Sequence, residues 1–272
     1  MIRGFFIVFL GMLSKILTDK PTKLFVILCT FFVANALIAE CIGGKLFSLE
    51  KVFGLIPKPF NFLGEKGLTI TLTCGVLLWP IEFVMTDIVN EYFGPKAVRR
   101  ISFIAIGLIS YAFIMFYLAM AIPADTSFWT GSQKANGIDN MQTAFESIFG
   151  QGMWIIAGSL VAFLVSQLLD VWVFHKIKKA TGNKMVWLRA TGSTLVSQLV
   201  DSFIVLFIAF QIGKGWSIQR VIAIGTINYC YKAIVAITLT PLIYLIENLI
   251  DHYLGKENSM ALKKAAMNKA SE

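Results

Sequence analysis

The chain has 272 residues, of which 57% are hydrophobic and only 15% charged, with a mean hydropathy of +0.72. A soluble domain carries nearer a quarter charged residues, and here the apolar residues fall in runs of about 20, the length that crosses a bilayer core. The net charge of +8 does not point to nucleic acid, because the basic residues flank apolar runs instead of forming one polar face.

Arg3 and the short apolar run Gly4 to Leu13 resemble a signal peptide, but no small-x-small cleavage site follows, and Lys15 and Lys20 precede Pro21. An interfacial N-terminal helix is the favoured reading of this stretch. Leu24 to Ala39 is the first expected span. A loop with Pro57, Pro59, Gly64 and Gly67 leads to the second, Leu68 to Tyr92, which contains Trp79-Pro80-Ile81-Glu82. Proline inside a span frees backbone groups that neighbours or a ligand must satisfy.

The third span, Val98 to Ile122, has no acid or base beyond Arg100 and reads as scaffold. A polar loop of about 25 residues follows, by the turn chemistry of Asn136-Gly137. The fourth span is Met153 to Phe174 and the fifth Trp187 to Ile212. The sixth, Ile218 to Ile250, is longer than a bilayer needs and contains Lys232 and Pro241, so a tilt or kink is expected. A polar, basic tail begins at Asp251. The division that results is an N-terminal segment (1–23), a six-helix membrane domain (24–250) and a tail (251–272).

Residues 1–23, 94–100, 175–189 and 251–272 hold 16 lysines and arginines, against 7 in the intervening loops. The positive-inside rule then puts both termini in the cytoplasm. Cys29, Cys41, Cys74 and Cys230 lie in or beside apolar segments without metal-binding spacing, and read as packing residues.

The most informative feature is a phrase that occurs twice, SQLLD at Ser166 to Asp170 and SQLVD at Ser197 to Asp201. Polar and ionisable groups in hydrocarbon are costly and mark function or pairing. Gly158, Ala162, Ser166 and Asp170 form one helical stripe, and Ser193, Ser197 and Asp201 another, so these helices can approach closely. Counting at about 1.5 Å per residue puts Asp170 and Asp201 at depths that differ by about 12 Å, too far for a symmetric pair. The two phrases then form two sides of a chamber, with Asp201 nearer the outer face.

Gln167 and Gln198 precede their aspartates by three residues and either contact a ligand or join helices. Asp87, Asn90 and Glu91 share a face, with Glu91 expected to pair with Lys96 or Arg100. Asn228 and Lys232, one turn apart, are either a ligand anchor or, for Lys232, the counter-ion of Asp87 or Asp201. Trp79 and Phe83 around Glu82 can stack a planar ligand or simply pack. His175 and His252 are expected at the surface. The phosphate-loop, HExxH, GxSxG and GxGD motifs are absent from the sequence, so neither ATP hydrolysis by that loop nor protease chemistry is supported.

LWPIEFVMTDIVNEYFGPKAVRR (Leu78 to Arg100), VSQLLDVWVFHKIKK (Val165 to Lys179), WLRATGSTLVSQLVDSFIVLFIAF (Trp187 to Phe210) and NYCYKAIVAITLTPLIYLI (Asn228 to Ile246) resemble, in order, helices of the queuosine-precursor transporter family, also called the vitamin uptake transporter family. The resemblance implies an inner-membrane importer of 7-deazaguanines with six helices, similar in fold to the substrate-binding subunits of energy-coupling-factor transporters. It needs no cofactor. The positions matching the family's motifs are Asp87, Gln167, Asp170, Gln198, Asp201 and Lys232, and a coupled proton or cation would suit the excess of carboxylates over Lys232.

A deazaguanine presents N–H donors at N1 and its 2-amino group beside the O6 acceptor, so a carboxylate can take both donors while glutamine or lysine serves O6. Two alternatives remain. One is a binding subunit driven by a separate ATP-powered module, which the spacing of Ala34, Ala36 and Ala39 does not favour. The other is a transporter of another planar nucleobase or vitamin.

Overall fold

The computed structural model describes residues 18–150, 152–182 and 185–269. The expected interfacial helix near the N-terminus lies outside the described residues. Long helices dominate. α1 (Lys20–Ile42) starts where Asp19 accepts the Thr22 N–H and Pro21 occupies the first turn, the position where proline's missing donor costs nothing. Two small antiparallel pairs follow, β1 (Leu46–Ser48) with β4 (Thr71–Thr73) and β2 (Phe60–Phe62) with β3 (Glu65–Leu68).

The second expected span is therefore not one helix from Leu68. Its first residues extend as strand, a 3₁₀ turn covers Cys74–Leu77, and the α-helical part, α2 (Trp79–Phe93), has 15 residues. Pro80 stands in the first turn of α2, so it starts a helix and does not interrupt one. The expected interruption of a span by Pro80 is therefore not found, because a proline in the first turn lacks only a donor that has no intrahelical partner there. The turn and α2 together are about 30 Å long.

Gly94 has φ +85° and joins α2 to α3 (Pro95–Ala121). A short amphipathic helix, α4 (Met141–Phe149), lies in what reads as a polar loop. α5 (Met153–Thr181) runs seven residues past the expected Phe174. α6 (Val186–Leu206) continues through a π-turn at Phe207–Ile212. α7 (Ile218–Leu254) passes through Pro241 without stopping. α8 (Lys256–Lys269) occupies most of the expected tail and packs on α2, with the Ala266 backbone directly against Gly94.

Five helices among the described residues are long and apolar enough to cross a membrane: α1, α3, α5 with the segment before it, α6 with its π-turn, and α7. Their burial is inverted relative to a soluble protein. Phe31, Ile114 and Leu249 are 50%, 58% and 62% exposed, while Glu82, Gln167 and Asp170 are fully buried. Apolar side chains outside and polar ones inside are stable only when hydrocarbon is the solvent.

α5 and α6 pack antiparallel along the two small-residue stripes. A Cβ on Gly158 would lie 3.2 Å from the Val205 carbonyl and the Ala209 amide. Further along, the Ser166 hydroxyl donates to Asp201 at 3.5 Å and the Ser197 hydroxyl donates to Asp170 at 3.1 Å. Each phrase thus caps the other, in a local two-fold arrangement. This corrects the expectation that the two aspartates cannot form a symmetric pair. With Asp170 opposite Ser197, the aspartates are four residues apart along the seam, about 6 Å and not 12 Å. The difference arises because α5 extends to Thr181, further into the loop than its expected end at Phe174.

The end of the bundle near Gly94 is held by ions. Glu91 is paired with Lys178 at 2.8 Å and with Arg189 at 2.9 Å, all three being buried. Its expected partners, Lys96 and Arg100, are not the ones it meets, because α5 carries Lys178 inward past the end of α2. His175, expected at the surface, is buried and bonds Asn90 Oδ1 through Nε2 at 2.8 Å. Tyr92 donates to Asp251, and Lys263 of α8 reaches Glu247 and Asp251 at 3.9 and 3.2 Å. All four cysteines are free thiols.

Two outcomes follow for stability. Gly158→Val meets backbone that cannot yield, so overpacking should cost about 1–3 kcal/mol, whereas Gly107→Val, with nothing within 4 Å, should be near neutral. Glu91→Ala leaves two buried cations unpaired and should cost about 3–5 kcal/mol, while exposed Arg100→Ala should stay within about 0.5 kcal/mol. Unfolding in a detergent titration checks all four.

Candidate functional site

α2, α6 and α7 enclose a cleft, each contributing one helical face. The α2 wall is Trp79, Pro80, Phe83, Val84 and Asp87, with Val76 of the preceding 3₁₀ turn. Thr191, Thr194 and Gln198 form the α6 wall at i, i+3 and i+7, and Tyr231, Lys232, Ala236, Leu239 and Ile243 form the α7 wall. The cleft encloses about 460 Å³ of non-protein space including its mouth, but only about 30 Å³ admits the centre of a water molecule. The walls are thus nearly closed on one another.

Polar atoms in this cleft are unevenly satisfied. Lys232 Nζ is 2.5 Å from Asp201 Oδ2, so of the two expected counter-ion roles it fills the one at Asp201. Asp201 also receives the Ser166 hydroxyl, and this joins the cleft to the α5–α6 seam. By contrast, Asp87 Oδ1 and Gln198 Nε2 are buried with no hydrogen-bond partner among the described residues. An unpaired buried polar atom costs about 1–3 kcal/mol. One acceptor and one donor on facing walls of a narrow cleft therefore favour a ligand carrying the complementary edge.

The other candidates are placed differently. Gln167 lies behind α2, where its Oε1 accepts from Thr86 at 3.0 Å and its Nε2 has no partner among the described residues. Asp170 is buried in the seam, with Oδ2 unpartnered among the described residues. Neither lines the cleft, so the first SQL-x-D phrase is not a cleft wall. The second contributes Gln198 directly and Asp201 through Lys232. Glu82 points towards α1, where Asn35 Nδ2 donates to it at 2.8 Å, and its Oε1 is unpartnered among the described residues. Asn228 is half-buried and outside the lining.

Trp79 and Phe83 both line the cleft, although the Trp79 ring also packs on Phe163 with centroids 5.5 Å apart. Thr191, Thr194 and Tyr231 line it too and are not among the residues singled out from sequence. Their signal is faint but present: the two threonines are in helical phase with Gln198, and Tyr231 adjoins Lys232.

Three buried carboxylates, Glu82, Asp87 and Asp170, have no basic nitrogen within 4 Å among the described residues. The count of membrane cations also changes, because Lys178 and Arg189 join Lys232 inside the bundle. No group of three or more potential metal ligands occurs among the described residues.

The family described as "Putative vitamin uptake transporter" matches residues 73–246. The "Probable queuosine precursor transporter" of Bacillus subtilis is 34% identical over 188 residues, which cover 68% of this chain and 75% of the relative. The "Queuosine precursor transporter" of Escherichia coli is 26% identical over 224 residues, covering 80% and 94% respectively. A "Probable queuosine precursor transporter" of Haemophilus influenzae is 27% identical over 168 residues, covering 61% and 64%. No solved structure matches the chain. The matched stretch holds every wall of the cleft and both SQL-x-D phrases, and with the apolar helices around them it makes this chain a multi-pass membrane transporter, not an enzyme, and a member of the vitamin uptake transporter family.

Proposed function

We propose that the protein imports a queuosine precursor, a 7-deazaguanine such as 7-cyano-7-deazaguanine, 7-aminomethyl-7-deazaguanine or queuine, and binds it in the cleft between α2, α6 and α7. The observation that carries this reading is the unpartnered pair Asp87 Oδ1 and Gln198 Nε2 beside the Asp201–Lys232 ion pair. The Asp87 carboxylate takes the N1 and 2-amino donors, Gln198 or Lys232 donates to O6, and Trp79, Phe83 and Tyr231 offer ring faces to a planar base. Adenine reverses the donor–acceptor edge and would leave these groups unpaired, which a buried site penalises heavily. The names of the relatives support the same substrate class.

The cleft admits little more than a water molecule, so a bicyclic base enters only when the walls part. Transport by exposing this site to each side in turn is the corresponding mechanism. The carboxylates without a counter-cation give the chain a place to carry a coupled proton or cation. In this reading the chain works alone in the bacterial inner membrane, with six crossings: the five long apolar helices and, second in chain order, the 3₁₀ turn with α2. Both termini are then cytoplasmic, and residues 24–250 form the transport domain between an N-terminal segment (1–23) and the basic tail (251–272).

Uptake of labelled precursor into cells that cannot make queuosine, supplied with this chain alone, tests the reading. Uptake only when an ATP-driven module is co-expressed would favour the binding-subunit alternative. On purified protein, a deazaguanine should raise the unfolding midpoint and adenine should not. Stabilisation by adenine or by an unrelated vitamin instead would sink the substrate class. Asp87→Asn and Gln198→Ala should each weaken precursor binding roughly 10–100-fold, the worth of one to two charge-assisted or buried hydrogen bonds, as read by calorimetry.

A further inference from the structure

A second cleft lies on the outside of the bundle, between the start of α3 and the last turns of α5. It has a volume of about 290 Å³, and its charged lining is entirely basic: Arg99 from α3, and Lys176 and Lys179 from α5. Pro95, the first residue of α3, closes one side, so the positive end of a 27-residue helix adjoins it. His175 forms part of the floor and is held there by Asn90.

Arg99, Lys176 and Lys179 have no carboxylate within ion-pair distance among the described residues. Glu91, next to the Asn90 that holds His175, is already shared between Lys178 and Arg189. Three like charges around one cleft repel one another, and an anion seated between them relieves that repulsion.

We propose that this cleft binds the phosphate headgroup of an anionic phospholipid. Charge alone would fit any phosphate, but the surroundings select a lipid. Trp172 lines the cleft and is 55% exposed, with Lys176 Nζ 4.7 Å from its ring centroid. This is the aromatic-and-basic pairing that sits at a membrane interface.

From the cleft, both helices continue as lipid-facing stripes. On α3, Phe103 follows Arg99 by one turn and is exposed. On α5, Val161 and Val165 precede Trp172 in helical phase and are exposed. A headgroup in the cleft thus has apolar surface on which to lay its acyl chains, which a free anion would not use. Basic pockets between membrane helices on the positive-inside face take anionic headgroups for the same reason. The site is distinct from the transport cleft and does not depend on the substrate assigned there.

Native mass spectrometry of the full chain in a neutral detergent, titrated with phosphatidylglycerol, phosphatidylcholine or inorganic phosphate, tests the proposal. Phosphatidylglycerol should bind on the order of 100-fold more tightly than phosphatidylcholine, the worth of three nearby cations. The triple variant Arg99→Gln, Lys176→Gln, Lys179→Gln should lose that preference with little change in its lipid-free unfolding midpoint. Removing three exposed lysines elsewhere (Lys58→Gln, Lys66→Gln, Lys134→Gln) should preserve it. Should the triple variant not fold, Arg99→Gln and Lys176→Gln singly should each lower the preference about fivefold. Undiminished phosphatidylglycerol binding by the charge-removal variants would overturn the proposal, as would inorganic phosphate displacing the lipid at millimolar concentration.

Discussion

The structure depends on how polar side chains are satisfied once hydrocarbon replaces water around the helices. Apolar surface gains nothing from burial in such a solvent, so close packing and hydrogen bonds between polar groups must hold the helices together. The α5–α6 seam does both. Gly158 lets the backbones touch, and the paired Ser166–Asp201 and Ser197–Asp170 contacts give each aspartate a hydroxyl from the opposite helix. A repeated phrase on antiparallel helices forms reciprocal contacts, because reversing one copy brings its serine level with the other's acid.

The symmetry ends at the aspartates, and the difference positions the cleft. Asp170 faces inward among α6 hydroxyls, whereas Asp201 is at the seam's edge, where α7 brings Lys232 to it. That ion pair fixes α7 beside α6 and leaves Gln198, one turn before Asp201, facing Asp87 of α2 across the cleft with its Nε2 unpartnered among the described residues. The same logic operates near Gly94 with a different result. There Glu91 receives two cations and the cluster locks α2, α5 and α6 together. Two positions four residues apart on α2, Asp87 and Glu91, therefore have opposite circumstances, the first without a hydrogen-bond partner among the described residues and the second doubly paired.

Much of this was legible in the residues. Run lengths predict five of the long helices to within several residues, and stripe spacing predicts the close approach of α5 and α6. Lys232 meets one of its two expected partners. What sequence hid has two physical causes. Depth was counted from assumed membrane boundaries, but α5 passes the expected end by seven residues, which carries Lys178 into the interior and changes the partners of Glu91 and the setting of His175. Apolar composition also does not distinguish a strand and a 3₁₀ turn from helix over short runs, so the sequence alone puts the start of α2 too early. Thr191 and Thr194 carry no charge and repeat in no phrase, so little in the sequence sets them apart from other hydroxyls of the span. Only the fold shows that they line a cleft.

Where the cleft can open is restricted by the same packing. The α5–α6 seam is a poor place for motion, because its backbones are in contact and each aspartate would lose a hydroxyl. The α7 wall is different. Pro241 lies between the lining residues Leu239 and Ile243 and cannot donate to the carbonyl one turn earlier, so the helical ladder is already broken beside the cleft. Thr240 shares its hydroxyl between the Ala236 carbonyl and Thr191 of α6, at 3.3 and 2.7 Å. That single side-chain contact is easily exchanged for another. A bend at this point costs less than one within an intact helix. It would move Ile243 and the residues after it relative to α2, while the Asp201–Lys232 pair, two turns before the bend, kept the first part of α7, with Ala236 and Leu239, attached to the seam.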